Sequence, residues 1–391
     1  MVNKLWTGHF VRVSIANLLL FVSLYMLYPV LPVAMADRLG VPVSQTGLLY
    51  LLFTLGMLCV GPFYNYLVDA YKRKEVCLWA FVALMAAVAG YAFVRNLTEL
   101  LWLCFLQGIA FGTATTAGIT LAIDITQTTV RSSGNLVFAW TSRAGMIIGI
   151  AMGVFLFGMY GFESVLYFSV AMGAIGVLFL AGVYVPFRAP IATNVCSLDR
   201  FLLLRGLVPA ANLVVIAFVP GMLLPILLHS PVNVTIAGLP VPFFGVAGIG
   251  FLLTVVLSRL CFRGKNKMWM QIVTGLLLMT GAIAAMSQII LPQVTELLLA
   301  AILFGLSLGL IAPEFLNMFV KLSPHCQRGT ANTTHLLSWE MGIALGIATA
   351  CLLDTEAPQE MIYRIGFIST LVALVVFIVV TYPYFKKKRV R

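Results

Sequence analysis

The chain has 391 residues, of which 61% are hydrophobic and only 9% charged, whereas a soluble domain is about 45–50% apolar and about 25% charged. A water-soluble core cannot hide that much apolar surface, so the composition excludes soluble enzymes, nucleic-acid-binding proteins and disordered scaffolds. The length accommodates about twelve membrane-spanning helices of about 20 to 25 residues each, joined by short connections.

Backbone polar groups must be paired inside hydrocarbon, so each long apolar run has to form a helix, and the connections fall at polar or Gly/Pro-rich breaks. These breaks predict twelve spans, in chain order residues 11–36, 44–69, 75–94, 98–124, 135–159, 162–186, 205–228, 241–262, 268–290, 294–320, 331–353 and 361–383. Two prolines interrupt span 1 (Pro29 and Pro32) and two interrupt span 7 (Pro220 and Pro225). Such interruptions in corresponding spans predict broken helices beside a substrate site.

Lys and Arg residues are distributed unequally between alternate loops, and this bias predicts the orientation in a membrane. If both termini are cytoplasmic, 20 of the 24 cations lie on that side, three lie on the other side, and Arg143 falls inside span 5. The net charge of +11 then reflects topology, and no nucleic-acid partner is predicted. The basic end at residues 386–391 predicts a contact with anionic membrane lipid. The short loops favour a multi-pass protein of a bacterial inner membrane.

The sequence lacks the motifs of common enzymes and of metal sites. No H-E-x-x-H, G-x-S-x-G or phosphate-binding Gly-Lys-Ser/Thr sequence is present. The seven cysteines form no C-x-x-C pair and have no histidine at ligand spacing. We therefore expect no enzyme activity, metal or bound cofactor, and a proton gradient rather than ATP as the energy source.

An internal repeat relates the two halves of the chain. At an offset of 197 residues, identical residues pair between spans 4–5 and spans 10–11: Gly108/Gly305, Gly112/Gly309, Arg131/Arg328, Asn135/Asn332, Gly145/Gly342 and Gly149/Gly346. Parallel halves with a site between them characterise one large class of transporters. We expect an N-terminal six-helix bundle (1–186), a cytoplasmic linker (187–204) and a C-terminal six-helix bundle with a basic tail (205–391). The glycines are expected to form the contact between the halves.

Two motifs in the first half resemble those of the major facilitator superfamily. The loop between spans 2 and 3 is similar to the family's Gly-x-x-x-Asp-Arg-x-Gly-Arg-Lys sequence at Asp69, Arg73 and Lys74. In span 4, Gln107 and the glycine after it resemble the family's Arg-x-x-Gln-Gly element, with Cys104 in the Arg position.

Span 5 carries a third motif, in which Gly145, Gly149 and Gly153 are similar to the antiporter sequence Gly-x-x-x-Gly-Pro-x-x-Gly-Gly of drug and metabolite exporters. Ile150 replaces the proline. The resemblance extends over essentially the whole chain. It implies an all-α polytopic membrane protein with two pseudo-symmetric six-helix halves, which acts as a monomer on a small-molecule substrate.

Two charges within the spans stand out as candidate functional groups. Arg143 in span 5 and Glu340 in span 11 are related by the same offset of 197 residues. A charged group in hydrocarbon costs about 2.5–3.5 kcal/mol on insertion scales, so it usually faces a cavity or a partner. In the functional interpretation, Arg143 binds an anionic or polar substrate group and Glu340 takes up and releases a proton. In the structural interpretation, they form an ion pair between the halves or are satisfied separately.

Other polar and aromatic side chains extend the candidate site. The predicted substrate or coupling residues are Arg143, Glu340, Glu314, Gln107, Asn17, Tyr25, Tyr28 and Asn212. Glu314, which follows Pro313, either titrates in the cavity or reaches the membrane interface. A gating latch that holds the outward-open state is predicted at Asp69, Arg73, Lys74, Asp124 and Arg131.

These features predict a secondary transporter in which two rigid halves rock about a central site. We expect proton-coupled export of a small organic or amphipathic solute, because span 5 resembles the antiporter motif. The departures at Cys104 and Ile150 favour a first alternative, the uptake or facilitated diffusion of a sugar-like or anionic nutrient. A second alternative is a lipid-handling or sensor protein on the same scaffold.

Overall fold

The structure is a computed structural model that describes residues 5–127, 129–185, 194–229, 234–236, 239–262, 264, 267–288, 294–324, 327–353 and 359–389. Within these residues, twelve helical segments are long and apolar enough to cross a membrane. The predicted all-α polytopic fold is confirmed.

The helices follow the predicted spans closely. Span 1 consists of α1 (Gly8–Tyr25) and α2 (Leu31–Leu39), and span 2 consists of α3 (Val43–Thr46), α4 (Leu49–Val60) and α5 (Tyr64–Ala70). Spans 3 to 6 are the single helices α6 (Arg73–Gly90), α7 (Leu97–Asp124), α8 (Arg131–Tyr160) and α9 (Phe162–Ala181). Spans 7 to 11 are the single helices α10 (Leu207–His229), α11 (Phe243–Leu260), α12 (Lys267–Gln288), α13 (Val294–Leu322) and α14 (Arg328–Leu353). Span 12 consists of α15 (Gln359–Val376) and α16 (Tyr382–Lys388).

A few shorter elements complete the chain. Single 3₁₀ turns occupy Gly61–Phe63, Tyr91–Phe93 and Leu204–Gly206, and a π-helical turn, Phe377–Thr381, joins α15 to α16. The connection between spans 7 and 8 contains an antiparallel hairpin of β1 (Val234–Ile236) and β2 (Leu239–Val241), in which Val234 lies opposite Val241. We call the end of the bundle at which α1 begins the N face.

Span 1 is broken as predicted, whereas span 7 is not. Pro29 has no N–H to donate to the carbonyl of Tyr25, and the chain forms turns from Met26 to Val30 before α2 begins at Leu31. By contrast, α10 is continuous through its two internal prolines. Each proline removes only one backbone hydrogen bond, and α10 packs so tightly on α14 that a Cβ at Gly221 would collide with the α14 backbone.

The repeated glycines pack spans within each half, so the expectation that they form the contact between the halves is wrong. A Cβ at Gly108 would meet the backbone of span 2, and a Cβ at Gly305 would meet that of span 8. Likewise Gly145 lies against span 1 and Gly342 against span 7. The four-residue spacing of the glycines identifies a helix face that another helix can approach closely, but it does not show which helix that is. The matching contacts in spans 1–6 and 7–12 do agree with the internal repeat.

Candidate functional site

The break in span 1 places two tyrosines side by side at the centre of the bundle. The rings of Tyr25 and Tyr28 stack with centroids 4.3 Å apart, and Tyr28 lies 4.1 Å from the ring of Tyr50 in span 2. All three rings are fully buried. Their packing fixes the direction of the hydroxyl groups of Tyr25 and Tyr28.

Both hydroxyl groups donate to the same carboxylate. The Tyr25 hydroxyl lies 2.6 Å from Oε1 of Glu340, and the Tyr28 hydroxyl lies 2.7 Å from Oε2. Glu340 is 1% exposed. Since the tyrosines belong to span 1 and Glu340 to span 11, these hydrogen bonds join the first six spans to the last six.

Arg143 lies beside this group but is held differently. Its guanidinium carbon is 3.9 Å from the ring centroid of Trp339, the residue before Glu340. Its Nη1 atom is buried without a hydrogen-bond partner. Among the described residues, Arg143 and Glu340 do not approach within ion-pair distance. The aromatic face compensates part of the cost of burying the charge, by about 2 kcal/mol in a desolvated setting, and leaves a donor available.

A cavity of about 30 Å³ adjoins Arg143 on the N-face side of the tyrosines. Its walls come from spans 1, 4, 5, 10 and 11 and include Asn17, Phe21, Thr115, Asn135, Phe138, Ser142, Arg143, Leu316, Asn332, His335 and Leu336. That volume holds about two water molecules. The arrangement therefore presents a buried cation and a hydrogen-bonded carboxyl group at a small central cavity.

The predicted latch lies at the N face, around Asp69. Asp69 accepts a hydrogen bond of 2.5 Å from Arg73, which also pairs with Asp124. Lys74 instead donates to the carbonyl of Ala181 at the end of span 6, so the structure does not bring it into this acidic group. The side chain of Arg131 lies outside the described residues.

Arg200 of the linker is a latch residue that the sequence analysis missed. Its Nε and Nη2 atoms each lie 3.1 Å from Asp69, and Nε is also 3.2 Å from Asn65. Its backbone N–H donates to Thr330 in span 11 at 2.8 Å. Arg200 has a φ of 61°, in the left-handed region that non-glycine residues rarely adopt. The linker therefore joins the ends of spans 2 and 11, a contact that no local motif indicates.

The remaining predicted site residues are dispersed. Asn17 lines the cavity and donates to Ser142 of span 5 at 2.8 Å. Gln107 accepts from Tyr91 at 2.5 Å within the first six spans, and Asn212 contacts Thr381 between spans 7 and 12. Glu314 is partly exposed and accepts from Asn317 at 3.1 Å. Of these four residues, only Asn17 joins Arg143 at the cavity wall.

Four residues at the centre were not predicted as site residues: Asn135, Asn332, His335 and Trp339. The two asparagines are a pair in the internal repeat, and this pairing was the sequence signal that could have identified them as site residues. Within the described part of the chain, no group of three or more His, Cys, Asp or Glu side chains is arranged to hold a metal ion.

A buried, charged centre inside a twelve-span helical bundle defines a multi-pass membrane protein built like a solute carrier. The family model of the Major Facilitator Superfamily matches residues 13–292, more than half of the chain, and the chain belongs to this family. The family and its structural neighbours are those of a transporter rather than an enzyme.

Individual relatives are distant. An uncharacterized MFS-type transporter, YtbD of Bacillus subtilis (strain 168), is 24% identical over 171 residues, which cover 44% of this chain and 43% of that protein. The match thus spans less than half of the curated relative. The human organic anion transporter MFSD10 (TETRAN) is 16% identical with a TM-score of 0.65, covering 94% of this chain and 98% of that chain. The POT family transporter PepTSo is 11% identical with a TM-score of 0.73, covering 98% of each chain. At these identities the two structures show a shared fold.

Proposed function

We propose that the protein is a secondary transporter that exports a small organic or amphipathic solute by proton-coupled alternating access. The observation that carries this proposal is the pair of hydrogen bonds from Tyr25 and Tyr28 to Glu340, beside the unpaired donor of Arg143. We place it in a bacterial inner membrane as a monomer in contact with lipid, with the N face and both termini in the cytoplasm.

Two rigid halves support a rocking motion. The glycine contacts described above pair span 4 with span 2 and span 5 with span 1, and they repeat this pattern between spans 10 and 8 and between spans 11 and 7. They support bundles at 1–186 and 205–391 joined by the linker 187–204. Contacts across the division include the latch at the N face, the tyrosine–glutamate bonds and the Arg143–Trp339 contact at the centre, the stacked rings of Trp140 and Phe251, and a close approach of Gly47 to Cys351 towards the opposite face. Rocking exchanges these contacts and exposes the centre to one face at a time.

Glu340 links protonation to this motion. Both of its donors belong to span 1, whereas Glu340 belongs to span 11. Separation of the halves removes the donors and admits water, so the balance between the charged and neutral carboxyl group differs between conformations. A group whose protonation depends on conformation transfers free energy from a proton gradient to the transport cycle.

The latch is proposed as the gate of the N face. Asp69, Arg73, Asp124 and Arg200 connect spans 2, 3 and 4 with the linker and, through it, with span 11. With the N face in the cytoplasm, the intact latch stabilises the outward-open state. Lys74 and Arg131 remain predicted members of this gate.

The uptake of an anionic nutrient is a second candidate, and the unpaired Nη1 of Arg143 favours it. A buried guanidinium with a free donor recognises an anionic group of a solute moving in either direction. The direction and sign of proton movement separate the two candidates.

The test uses the purified full-length protein in liposomes that contain a pH-sensitive dye. Ethidium, glucose and L-lactate represent a cationic amphipath, a sugar and an organic anion. We expect a gradient of one of these solutes to drive proton movement, and Glu340→Gln to abolish that movement while solute exchange without a pH gradient persists. Glu163→Gln alters an exposed carboxylate at the start of α9 and serves as the matched control. Unchanged proton movement in Glu340→Gln would refute the assignment of coupling to Glu340.

A further inference from the structure

Four buried polar atoms without hydrogen-bond partners belong to residues that line the central cavity. They are Nη1 of Arg143, Nδ2 of Asn135, Oδ1 of Asn332 and Nε2 of His335. Each of these residues is at most 6% exposed. Buried polar groups are nearly always paired in folded proteins, so four such atoms around one cavity mark a place prepared for a ligand.

Both halves of the molecule contribute to this group. Asn135 and Arg143 lie on span 5, whereas Asn332 and His335 lie on span 11. The two asparagines occupy corresponding positions of the internal repeat. A ligand that pairs with atoms of both spans therefore bridges the two halves, as a transported solute must when the centre is closed to both faces.

The chemistry of the four atoms selects an anionic ligand. Arg143 carries the only permanent charge among the described residues of the cavity wall, and Asn135 adds a second fixed donor. A guanidinium presents its donors in a plane that matches a carboxylate. Asn332 offers an acceptor, and Nε2 of His335 donates or accepts according to its tautomer. This set suits a carboxylate next to a hydroxyl group.

The dimensions limit the ligand further. The cavity has room for about two water molecules, which is enough for the two oxygen atoms of a carboxylate. The remaining wall is apolar, with Phe21, Phe138 and Leu336 around the polar atoms. Such an apolar wall suits a hydrocarbon body attached to the carboxylate.

We propose that this cavity is the subsite for a short-chain monocarboxylate, in which Arg143 and Asn135 donate to the carboxylate and Asn332 accepts from a hydroxyl group next to it. The inference rests on the proposed transport function and names the substrate class of its central site.

The experiment measures binding to the full-length protein in detergent, by the shift in unfolding temperature and by tryptophan fluorescence, since Trp339 lies against Arg143. The probes are L-lactate, its neutral analogue lactamide, and propionate, which lacks the hydroxyl group. We expect lactate to bind, lactamide not to bind, and propionate to bind more weakly than lactate. Equal effects of lactate and lactamide, or no effect of either acid, would overturn the proposal.

Two variants test the individual contacts. Asn135→Asp is nearly isosteric and places a like charge beside the carboxylate, so we expect lactate affinity to fall about ten-fold or more. Asn332→Ala is expected to bind lactate and propionate equally. Asn194→Asp, which makes the same exchange at an exposed position of the linker, is the control and should bind as the unaltered protein does. An unchanged lactate affinity in a folded Asn135→Asp protein would also overturn the proposal.

The outcomes for the subsite and for transport are separable. Binding in detergent requires no flux. If lactate binds while none of the three solutes drives proton movement in liposomes, the proposed function is contradicted and the subsite is left intact. If ethidium or glucose drives proton movement through Glu340 and lactate does not bind, the transport function stands and the carboxylate subsite is wrong.

Discussion

Removal of the Arg200 guanidinium should shift the protein towards the state that is open at the N face. Two of its nitrogen atoms contact Asp69 at 3.1 Å, and the side chains of Arg200 and Asp69 are 22% and 9% exposed. In Arg200→Ala, Asp69 keeps its bond to Arg73, so no carboxylate is left unpaired. The loss is therefore limited to the interaction of Arg200 itself.

The free energy that the latched state loses in Arg200→Ala follows from the partial burial of the Arg200–Asp69 pair. Hydrogen bonds to charged groups contribute about 1.5–3 kcal/mol, whereas fully exposed ion pairs contribute at most about 1 kcal/mol. A value of about 2 kcal/mol fits a pair between these limits. It corresponds to a roughly 30-fold change in the equilibrium between the closed and open states of the N face. A state populated at about 1% would then rise to about a quarter of the molecules.

Spin labels on opposite sides of the N face can measure this population. Tyr71 at the end of span 2 and Lys321 at the end of span 10 are exposed and suit labelling through introduced cysteines. Exposed Cys59, Cys196 and Cys261 are first replaced by serine. In Arg200→Ala, double electron–electron resonance should show a larger fraction of long distances.

The matched control is Arg364→Ala. Arg364 pairs with Glu360 at the start of span 12, where the two side chains are 71% and 57% exposed, and this pair lies within one span. We expect no change in the distance distribution. An unchanged distribution in Arg200→Ala, or an equal shift in Arg364→Ala, would contradict the gating role of the linker.

Three further substitutions separate packing from function. Gly108→Val should lower the unfolding temperature, because the added carbons meet the backbone of span 2 and overpacking costs about 1–3 kcal/mol. Gly158 has open space around it, so Gly158→Ala should leave the unfolding temperature unchanged. Asn212→Ala should lower the unfolding temperature through its lost bond to span 12 without altering the KM for solute. Tyr28→Phe removes one donor to the central carboxylate and should slow proton movement in liposomes about ten-fold, while Tyr167→Phe, at an exposed ring, should have no effect.

Much of the architecture could be predicted from residue order alone. The twelve spans follow from apolar runs, because a chain in hydrocarbon has few ways to pair its backbone. A break near Pro29 was predicted correctly, but the same lack of an N–H at Pro220 and Pro225 leaves α10 continuous. The offset of 197 residues indicated a duplicated arrangement, and the paired glycine contacts in spans 1–6 and 7–12 agree with it.

The central site was predicted only in part. The intramembrane charges pointed to Arg143 and Glu340, but their sequence positions do not show that Tyr25 and Tyr28 hold the carboxylate while an indole supports the guanidinium. Asn212 and Gln107 were predicted together with Tyr25 and Tyr28 as polar or aromatic members of the site, and they lie elsewhere.

The sequence by itself determined how many times this protein crosses the membrane, because the free energy of inserting a helix depends on about 20 consecutive residues. Only the tertiary structure decided which polar side chains meet at the centre and at the N face. Arg200 and Asp69 are separated by 131 residues, and Tyr25 and Glu340 by 315. Whether such residues touch depends on how each helix is rotated about its axis and where the chain crosses between helices. Packing of the whole bundle sets both.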